Sequence, residues 1–372
     1  MNTPTGKHQL DYSPLTSPVT RADIADFKRK YPRHWSIEKA ILIIVVVLIA
    51  LFFVPFMGVM VASAFSPDAV ANLLIGGVTI CATVGLIIAG FFLLRRHDER
   101  LVRLDRFATV NNITFLVSRP DPAYSGMIFD EGHSRRINEG FRFRDGVEIG
   151  NYEYTTGSGK NQQQHTFGYV SVPIDRRLPH MVLDAKRNNF FGISNLPDTF
   201  DSSQTLKLEG DFNEHFNLFA PKAYERDALY VFTPDVMVSL IDNGKYHDME
   251  VVDNKLYVYS STAFNLTSPE QLETLLKMVA HIGVEIRKQS SNYADERVND
   301  RSADIIAPSG RRLKKGVNIF VVVIFVGFII LQFSDVLWPL FGQYTWLAII
   351  IAFFGLGLFA LIYSLVNSAR RR

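Results

Sequence analysis

The chain has 372 residues, a formal net charge of +2, and hydrophobic residues at 48% of its positions. The charge is uneven, because positions 107–310 hold 20 basic and 28 acidic residues, so the remaining positions are strongly basic. An acidic domain lacks the basic face that phosphate contacts require, which excludes a nucleic-acid-binding domain. The single cysteine, Cys81, excludes an intrachain disulfide framework and agrees with a reducing compartment.

The N-terminal segment, residues 1–39, is predicted to begin as a disordered polar tail and to end as an amphipathic one. Thr20 and Asp23 match the start of a short helix, with Ile24 and Phe27 on one face. Basic and aromatic residues follow, a mixture that suits the headgroup layer of a membrane. We expect this segment to lie on the cytoplasmic side.

Four apolar stretches predict transmembrane helices. None contains Asp, Glu, Lys, Arg or His, and the first is long enough to cross a hydrocarbon core of about 30 Å. We expect two hairpins, 40–94 and 311–366, to form an α-helical membrane anchor on either side of a folded domain. The predicted spans are 40–61, 73–94, 317–333 and 346–366.

Basic residues flank every segment on one side of these spans, and the two short loops on the other side have none. This bias predicts a multi-pass plasma-membrane protein. Its central domain and both termini, with the basic tail at 367–372, are expected in the cytoplasm. The same residues predict contacts with anionic lipid headgroups. Those expected to make them are Arg95, Arg96, Arg311, Arg312, Lys314 and Lys315.

Small residues four apart mark one face of the second span: Gly77, Cys81, Gly85 and Ala89. Such a face lets another helix approach closely. Packing within the chain is the preferred interpretation, because these motifs are common inside helix bundles. Association of two copies into a homo-oligomer is the alternative.

Residues 95–310 are predicted to form an α+β domain with a mainly antiparallel sheet. A helix should leave the membrane at Arg95 and end near Val110. Strands at 147–154 and 167–172 form a hairpin, with a further short strand at 181–183.

The stretch 205–261 is the predicted centre of this domain, because its caps, turns and apolar patterns agree with one another. The capping box at Ser268 opens a later helix, and the polar tract 289–310 is a predicted linker. The central elements are strands near 206–209 and 216–218, a helix that begins at Pro234, and a hairpin of 249–251 and 256–259 joined by Asp253 and Asn254.

No catalytic, cofactor or metal site is predicted. Gly157–Lys160 looks like part of a phosphate-binding loop, but Tyr154 and Asn161 occupy the positions where that motif needs Gly and Ser or Thr. A hairpin tip is the better interpretation. The nine histidines show no metal-ligand spacing.

Five runs of sequence carry a resemblance to known proteins. They cover most of 95–293, and their length makes the likeness specific. On these runs the chain resembles a family of uncharacterised bacterial membrane proteins of actinobacterial type. The resemblance implies a recurring cytoplasmic domain on membrane helices, and it implies no activity and no catalytic residues. The runs are Arg103–Ala108, Gly150–Asn161, Leu178–Asp184, Leu208–Phe212 and Tyr224–Asp235.

These observations predict a non-catalytic, membrane-tethered cytoplasmic module that binds a partner protein or a small ligand. Aromatic residues on the predicted hairpin, such as Tyr152 and Tyr169, suit a recognition surface, although burial in the core is the commoner fate of each one. The alternative is an enzyme at the inner membrane face that uses carboxylates near Glu209 and Asp211. It would need His180 or His215 to converge with two of those carboxylates in a pocket.

Overall fold

A seven-stranded sheet forms the framework of the molecule. We describe it from a computed structural model over residues 10–32, 85, 88, 92, 95–189 and 194–316. Every described strand pair is antiparallel, as the sequence predicts for this domain. The strands are β1 Thr114–Pro120, β2 His133–Arg142, β3 Glu148–Thr156, β4 Gln163–Ala185, β5 Thr205–Leu206, β6 Phe216–Phe219 and β7 Asp248–Ser260.

Strand β4 is the centre of this sheet and is 23 residues long. Its first half pairs with β3 and its second half with β6, while β7 follows it along both halves. The order is β1-β2-β3-β4-β6-β5, with β7 on the opposite edge of β4. The prediction of two separate strands at 167–172 and 181–183 is therefore wrong, because the irregular stretch between them stays paired with β7.

Strand β7 contains an irregularity where the sequence predicted a tight turn. Asp253 has the left-handed backbone expected of it, with φ of 54°, but it pairs with Leu178 and the chain continues straight on. The irregularity is a bulge whose extra residues lie in β4, and the side-chain alternation of β7 shifts by one position across it. Glu250 and Tyr259 therefore lie on the same face and form a hydrogen bond. The predicted hairpin of 249–251 and 256–259 is wrong, and one continuous strand replaces it.

The two faces of the sheet bury different cores. Alternation along β4 and β7 places Val170 and Val258 on one face and their neighbours Tyr169 and Tyr257 on the other. The first face is largely aliphatic and is covered by helices. We call the second the tyrosine face, because it buries Tyr152, Tyr154, Tyr169, Tyr257 and Tyr259.

Helix starts follow their predicted caps closely. Thr20 and Asp23 form a reciprocal capping box, and Ser268 accepts a hydrogen bond from the Gln271 amide. Pro234 stands at the start of its helix as predicted, although Thr233 makes no side-chain cap. The helices are α1 Ser13–Thr16, α2 Arg21–Lys30, α3 at 95–110, α4 Phe212–His215, α5 Glu225–Val231, α6 Pro234–Gly244, α7 Pro269–Met278, α8 Val284–Ser291 and α9 Pro308–Arg311.

Residues 10–32 pack against α3. Asp23 pairs with Arg106 at 2.5 Å, and Lys30 pairs with Asp105 at 2.7 Å. Leu15, in the part that the sequence predicted to be disordered, is buried in the aliphatic core. The amphipathic face of α2 thus lies on the folded domain.

The polar tract 289–310 is also packed on the domain. Asp295 is buried and accepts hydrogen bonds from the Tyr224 hydroxyl at 2.6 Å and the Ala307 amide at 2.9 Å. Both of these donors bond to Oδ2, and Oδ1 accepts from the Arg297 amide at 2.9 Å. The segment is therefore fixed to α5 and its neighbours rather than serving as a linker.

The prediction of a four-helix membrane anchor requires correction. Within the described ranges, every helix is too short or too polar to cross a bilayer, which needs about 20 apolar residues. This finding contradicts the four transmembrane helices, the integral-membrane character and the multi-pass location with cytoplasmic termini. The described residues include almost none of the four apolar stretches, which are 40–61, 73–94, 317–333 and 346–366.

Candidate functional site

A group of charged and aromatic side chains on the tyrosine face is drawn from β1, β2, β3, β7 and the β1–β2 connection. We call it the cation–tyrosine cluster: Arg119, Tyr124, Arg142, Glu148 and Lys255. The β2–β3 hairpin pairs Arg142 directly with Glu148. Strand β4 lies between β3 and β7. Glu148, Ser171 and Tyr257 therefore form one row across the three strands. The cluster is therefore a product of the sheet topology.

One buried carboxylate organises this cluster. Glu148 is 4% exposed, and its Oε1 accepts a hydrogen bond from Arg142 Nε at 2.7 Å. Its Oε2 accepts a hydrogen bond from the Tyr124 hydroxyl at 2.5 Å. Burial, together with donation to Glu148, raises the pKa of Tyr124 to about 12. The phenol is thus a fixed neutral donor at ordinary pH.

Two further cations face the ring of Tyr124. Lys255 Nζ lies 4.8 Å from the ring centroid and 5.9 Å from that of Tyr257, and Arg119 Cζ lies 6.0 Å from the Tyr124 centroid. Both distances to Tyr124 fall within the range of cation–π contacts. Burial lowers the pKa of Lys255. The charge of Glu148 raises this pKa in part, whereas the charges of Arg142 and Arg119 lower it further. Three cations therefore lie around Tyr124 and the carboxylate that it contacts, and of these Arg142 is the one that bonds to Glu148.

Ser171 lies in the same row as Glu148. It is buried, and its Oγ has no hydrogen-bond partner within the described part of the chain. A buried hydroxyl without a partner is costly, so each such group calls for an explanation. On this face, it is a free polar atom beside the cation–tyrosine cluster.

A second buried carboxylate lies further along the tyrosine face. Glu250 is 1% exposed and accepts hydrogen bonds from the Tyr259 hydroxyl at 2.6 Å and the Met127 amide at 2.7 Å. His180 Nε2 lies 2.8 Å from its other oxygen, and His180 Nδ1 accepts from the Leu313 amide at 2.9 Å. Because Nδ1 is an acceptor, Nε2 carries the ring proton and donates a hydrogen bond to Glu250. Both oxygens of Glu250 and both ring nitrogens of His180 have hydrogen-bond partners, so this network stabilises the fold.

Two aspartates lie side by side across β4 and β7. Asp184 accepts from Ser194 at 2.8 Å and from Asn217 at 2.9 Å, and Asp248 accepts from the Ala185 amide at 2.8 Å and from Asn188 at 2.8 Å. Burial raises the pKa of Asp248 to about 7, and the nearby Asp184 charge adds to the rise.

In the described ranges, no group of three or more His, Cys, Asp or Glu side chains is arranged to hold a metal ion.

The residues of the predicted enzyme do not converge. Glu209 and Asp211 are exposed, and Asp211 lies 4.0 Å from His215 at the surface. His180 instead contacts Glu250 in the interior. The buried carboxylates at 148, 184, 248 and 250, which lie in three separate groups, are not predicted from the sequence. Charged residues at core-facing positions of otherwise apolar strands were the available signal.

Several predicted lipid-contacting residues have partners inside the protein. Arg95 pairs with Glu99 at 2.9 Å, Arg312 with Asp253 at 3.3 Å, and Lys315 with Asp198 at 2.6 Å. Arg311 donates to the Ile306 carbonyl at 2.8 Å. Arg96 is exposed, and Lys314 is bonded through its backbone. Lipid contact by these residues stays a prediction.

Of the predicted small-residue face, Gly85 alone is described. A side-chain carbon added there would meet no atom of the described residues within 4 Å. Gly77, Cys81 and Ala89 lie outside the described residues. Gly157–Lys160 lies at the tip of the β3–β4 hairpin, which confirms the predicted hairpin tip.

Comparison with known proteins adds no assignment. No family model matches the chain, and no curated protein or solved structure matches it either. The resemblance to uncharacterised bacterial membrane proteins stays a prediction, and the function has to be argued from the site itself.

Proposed function

We propose that the folded domain is a non-catalytic module that binds a small anionic ligand at the cation–tyrosine cluster. The observation that carries this proposal is the charge imbalance of three cations around Tyr124 and a single buried carboxylate. Arg142 is paired with Glu148, whereas Arg119 and Lys255 face an aromatic ring. An anion placed between those two cations would balance the local charge.

The chemistry of the cluster favours a ligand with both an anionic group and a flat apolar part. A guanidinium presents two parallel donors to a phosphate or carboxylate, and an ammonium adds a compact charge. The partly buried ring of Tyr124 offers apolar surface beside these cations. The unpartnered hydroxyl of Ser171 supplies a further polar atom in the same row.

Calorimetric titration of the full-length protein tests this proposal. We expect phenyl phosphate to bind more tightly than inorganic phosphate, and benzyl alcohol not to bind, because the first probe alone has both features. Replacing Lys255 by Met or Arg119 by Gln should weaken phenyl phosphate binding by about tenfold, the usual effect of losing a charge-assisted contact.

Arg144→Gln is the matched control, since Arg144 is exposed on the β2–β3 connection and outside the cluster. An equal loss of affinity in this variant would mean that the probe senses overall charge. Equal binding of phenyl phosphate and benzyl alcohol would also contradict the proposal.

A further inference from the structure

A short C-terminal segment of the described chain lies in a groove beside the tyrosine face. We call residues 312–316 the strap. The groove is formed by His180 of β4, by Glu131, and by the stretch 198–204. Phe200 and Lys315 form an isolated antiparallel bridge, so the strap is extended against this stretch.

The groove binds the backbone of the strap through a set of directed hydrogen bonds. Gln204 contacts Lys314 twice: its Oε1 accepts from the Lys314 amide, and its Nε2 donates to the Lys314 carbonyl, both at 2.9 Å. His180 Nδ1 accepts from the Leu313 amide at 2.9 Å. The Gly316 amide donates to the Thr199 carbonyl at 2.7 Å. Groups that pair with a backbone in this way supply affinity without depending on sequence.

Alternate side chains of the strap enter the groove. Leu313 is 7% exposed and packs in the core of the tyrosine face, which also contains Phe200. Two residues later, Lys315 Nζ lies 2.6 Å from Asp198 and 3.5 Å from Glu131. Gly316 passes so close to Phe200 that an added side-chain carbon would lie 2.7 Å from the Phe200 carbonyl oxygen. An apolar pocket for Leu313 and an acidic surface patch for Lys315 therefore follow one another at the spacing of an extended strand.

The groups that contact the strap are held in place by the rest of the fold. Glu250 orients the imidazole of His180 through Nε2, which leaves Nδ1 as the acceptor. Gln204 belongs to a short turn that Asp201 caps by accepting from the Ser203 amide at 2.8 Å. The binding groups thus owe their positions to contacts outside the strap.

We propose that this groove is a peptide-binding site that the chain's own strap occupies, and that it accepts an extended partner segment with an apolar residue followed two positions later by lysine. Backbone pairing combined with pockets for alternate side chains is how sheets recognise extended peptides. A tethered segment has a high effective concentration, so a partner has to displace the strap before it binds. This proposal is independent of the anionic-ligand proposal.

The test uses the full-length protein with a weakened strap and a labelled peptide of sequence RRLKKG, which copies positions 311–316. The double variant Leu313→Asp with Lys315→Glu removes both side-chain anchors. The single variant Gly316→Ala is a milder alternative that acts only through its contact with Phe200. Fluorescence anisotropy then measures peptide affinity in each variant that melts cooperatively.

We expect at least tenfold tighter binding of this peptide than of a scrambled peptide, KLRGKR, which has the same composition and charge. Adding Gln204→Ala in the same background should abolish the difference, and the unmodified protein should bind the peptide more weakly than either strap variant. Equal affinity for the two peptides in a folded strap variant would overturn the proposal, because attraction to an acidic surface would then account for all binding.

Discussion

The buried carboxylates on the tyrosine face differ in what surrounds them, and their neighbours decide what each one does. Glu148 has a cation beside it, Glu250 has only hydrogen-bond donors, and Asp248 has amides and a second aspartate. Burial raises the pKa of Asp248 to about 7, and the charge of the neighbouring Asp184 adds to the rise. Asp248 is therefore the residue whose charge state should affect stability.

We predict that Asp248 makes the protein less stable as the pH rises through neutrality. Its pKa is about 7 in the folded state and near 4 in an unfolded chain, so the folded state keeps a proton that the unfolded state has lost. The contribution is fully present below pH 4 and lost above pH 7, and it amounts to up to about 4 kcal/mol. Urea denaturation at pH 5 and pH 8 measures it.

Asp248→Asn should remove this dependence and be more stable than the unmodified protein at pH 8, with a smaller difference at pH 5. The new amide has an available acceptor, because Asn188 Oδ1 is buried and has no partner within the described residues. Asp242→Asn, an exposed change on α6, is the control. A stability difference that stays constant with pH would contradict the assignment.

Glu250→Gln should destabilise the protein by about 2–4 kcal/mol, because all the groups that contact this carboxylate are donors and a carboxamide presents N–H to one of them. Chemical denaturation measures the loss. Glu296→Gln, at an exposed site, should change the free energy of unfolding by less than about 0.5 kcal/mol. Similar effects of the two substitutions would refute a structural role for Glu250.

At the scale of elements, the irregularity at Asp253, where β7 faces the bulge of β4, shows how a correct local inference can lead to a wrong element. The sequence indicates a left-handed backbone at Asp253, and the structure has it. Local residue preference, however, does not distinguish a turn from a bulge, since both accept Asp at positive φ. The difference is made by β4, which supplies pairing partners on both sides of the irregularity.

Substitutions at Asp253 test the importance of this irregularity. Asp253→Asn should be tolerated, because Asn also accepts the left-handed region, although the ion pairs with Arg177 and Arg312 are lost. Asp253→Val should cost roughly 1–2 kcal/mol more, because a β-branched residue is strained there. Thermal melts compare the two variants directly, and equal melting temperatures would show that the irregularity carries no strain.

Prediction from sequence succeeds where the signal is local. The capping box at Thr20, the start of α7 at Ser268 and the β3–β4 hairpin all depend on residues within a few positions of one another. The cation–tyrosine cluster was missed, because it joins side chains from β1, β2, β3 and β7 that only the sheet topology brings together. Periodicity reports which residues are inside, not which strands become neighbours.

At the scale of the whole molecule, the predicted membrane anchor is the main correction. The sequence predicts the anchor from the apolar composition of four stretches. The described helices, however, are too short or too polar to serve as spans. What the structure supports is an antiparallel sheet with an aliphatic core on one face and a polar, tyrosine-rich core on the other. The second face holds both proposed binding sites, which places the functional interest there.

Because β4 takes part in both halves of the sheet and in both cores, neither half can open without breaking pairs that stabilise the other. Amide hydrogens of β3 and β6 should therefore exchange through the same global event and report one free energy of opening, measurable by native-state hydrogen exchange. A probe bound at the cation–tyrosine cluster would slow exchange at β6 as strongly as at β3, since both would gain the whole binding free energy. Protection confined to β3 would instead show that the long strand has a hinge at its irregular middle.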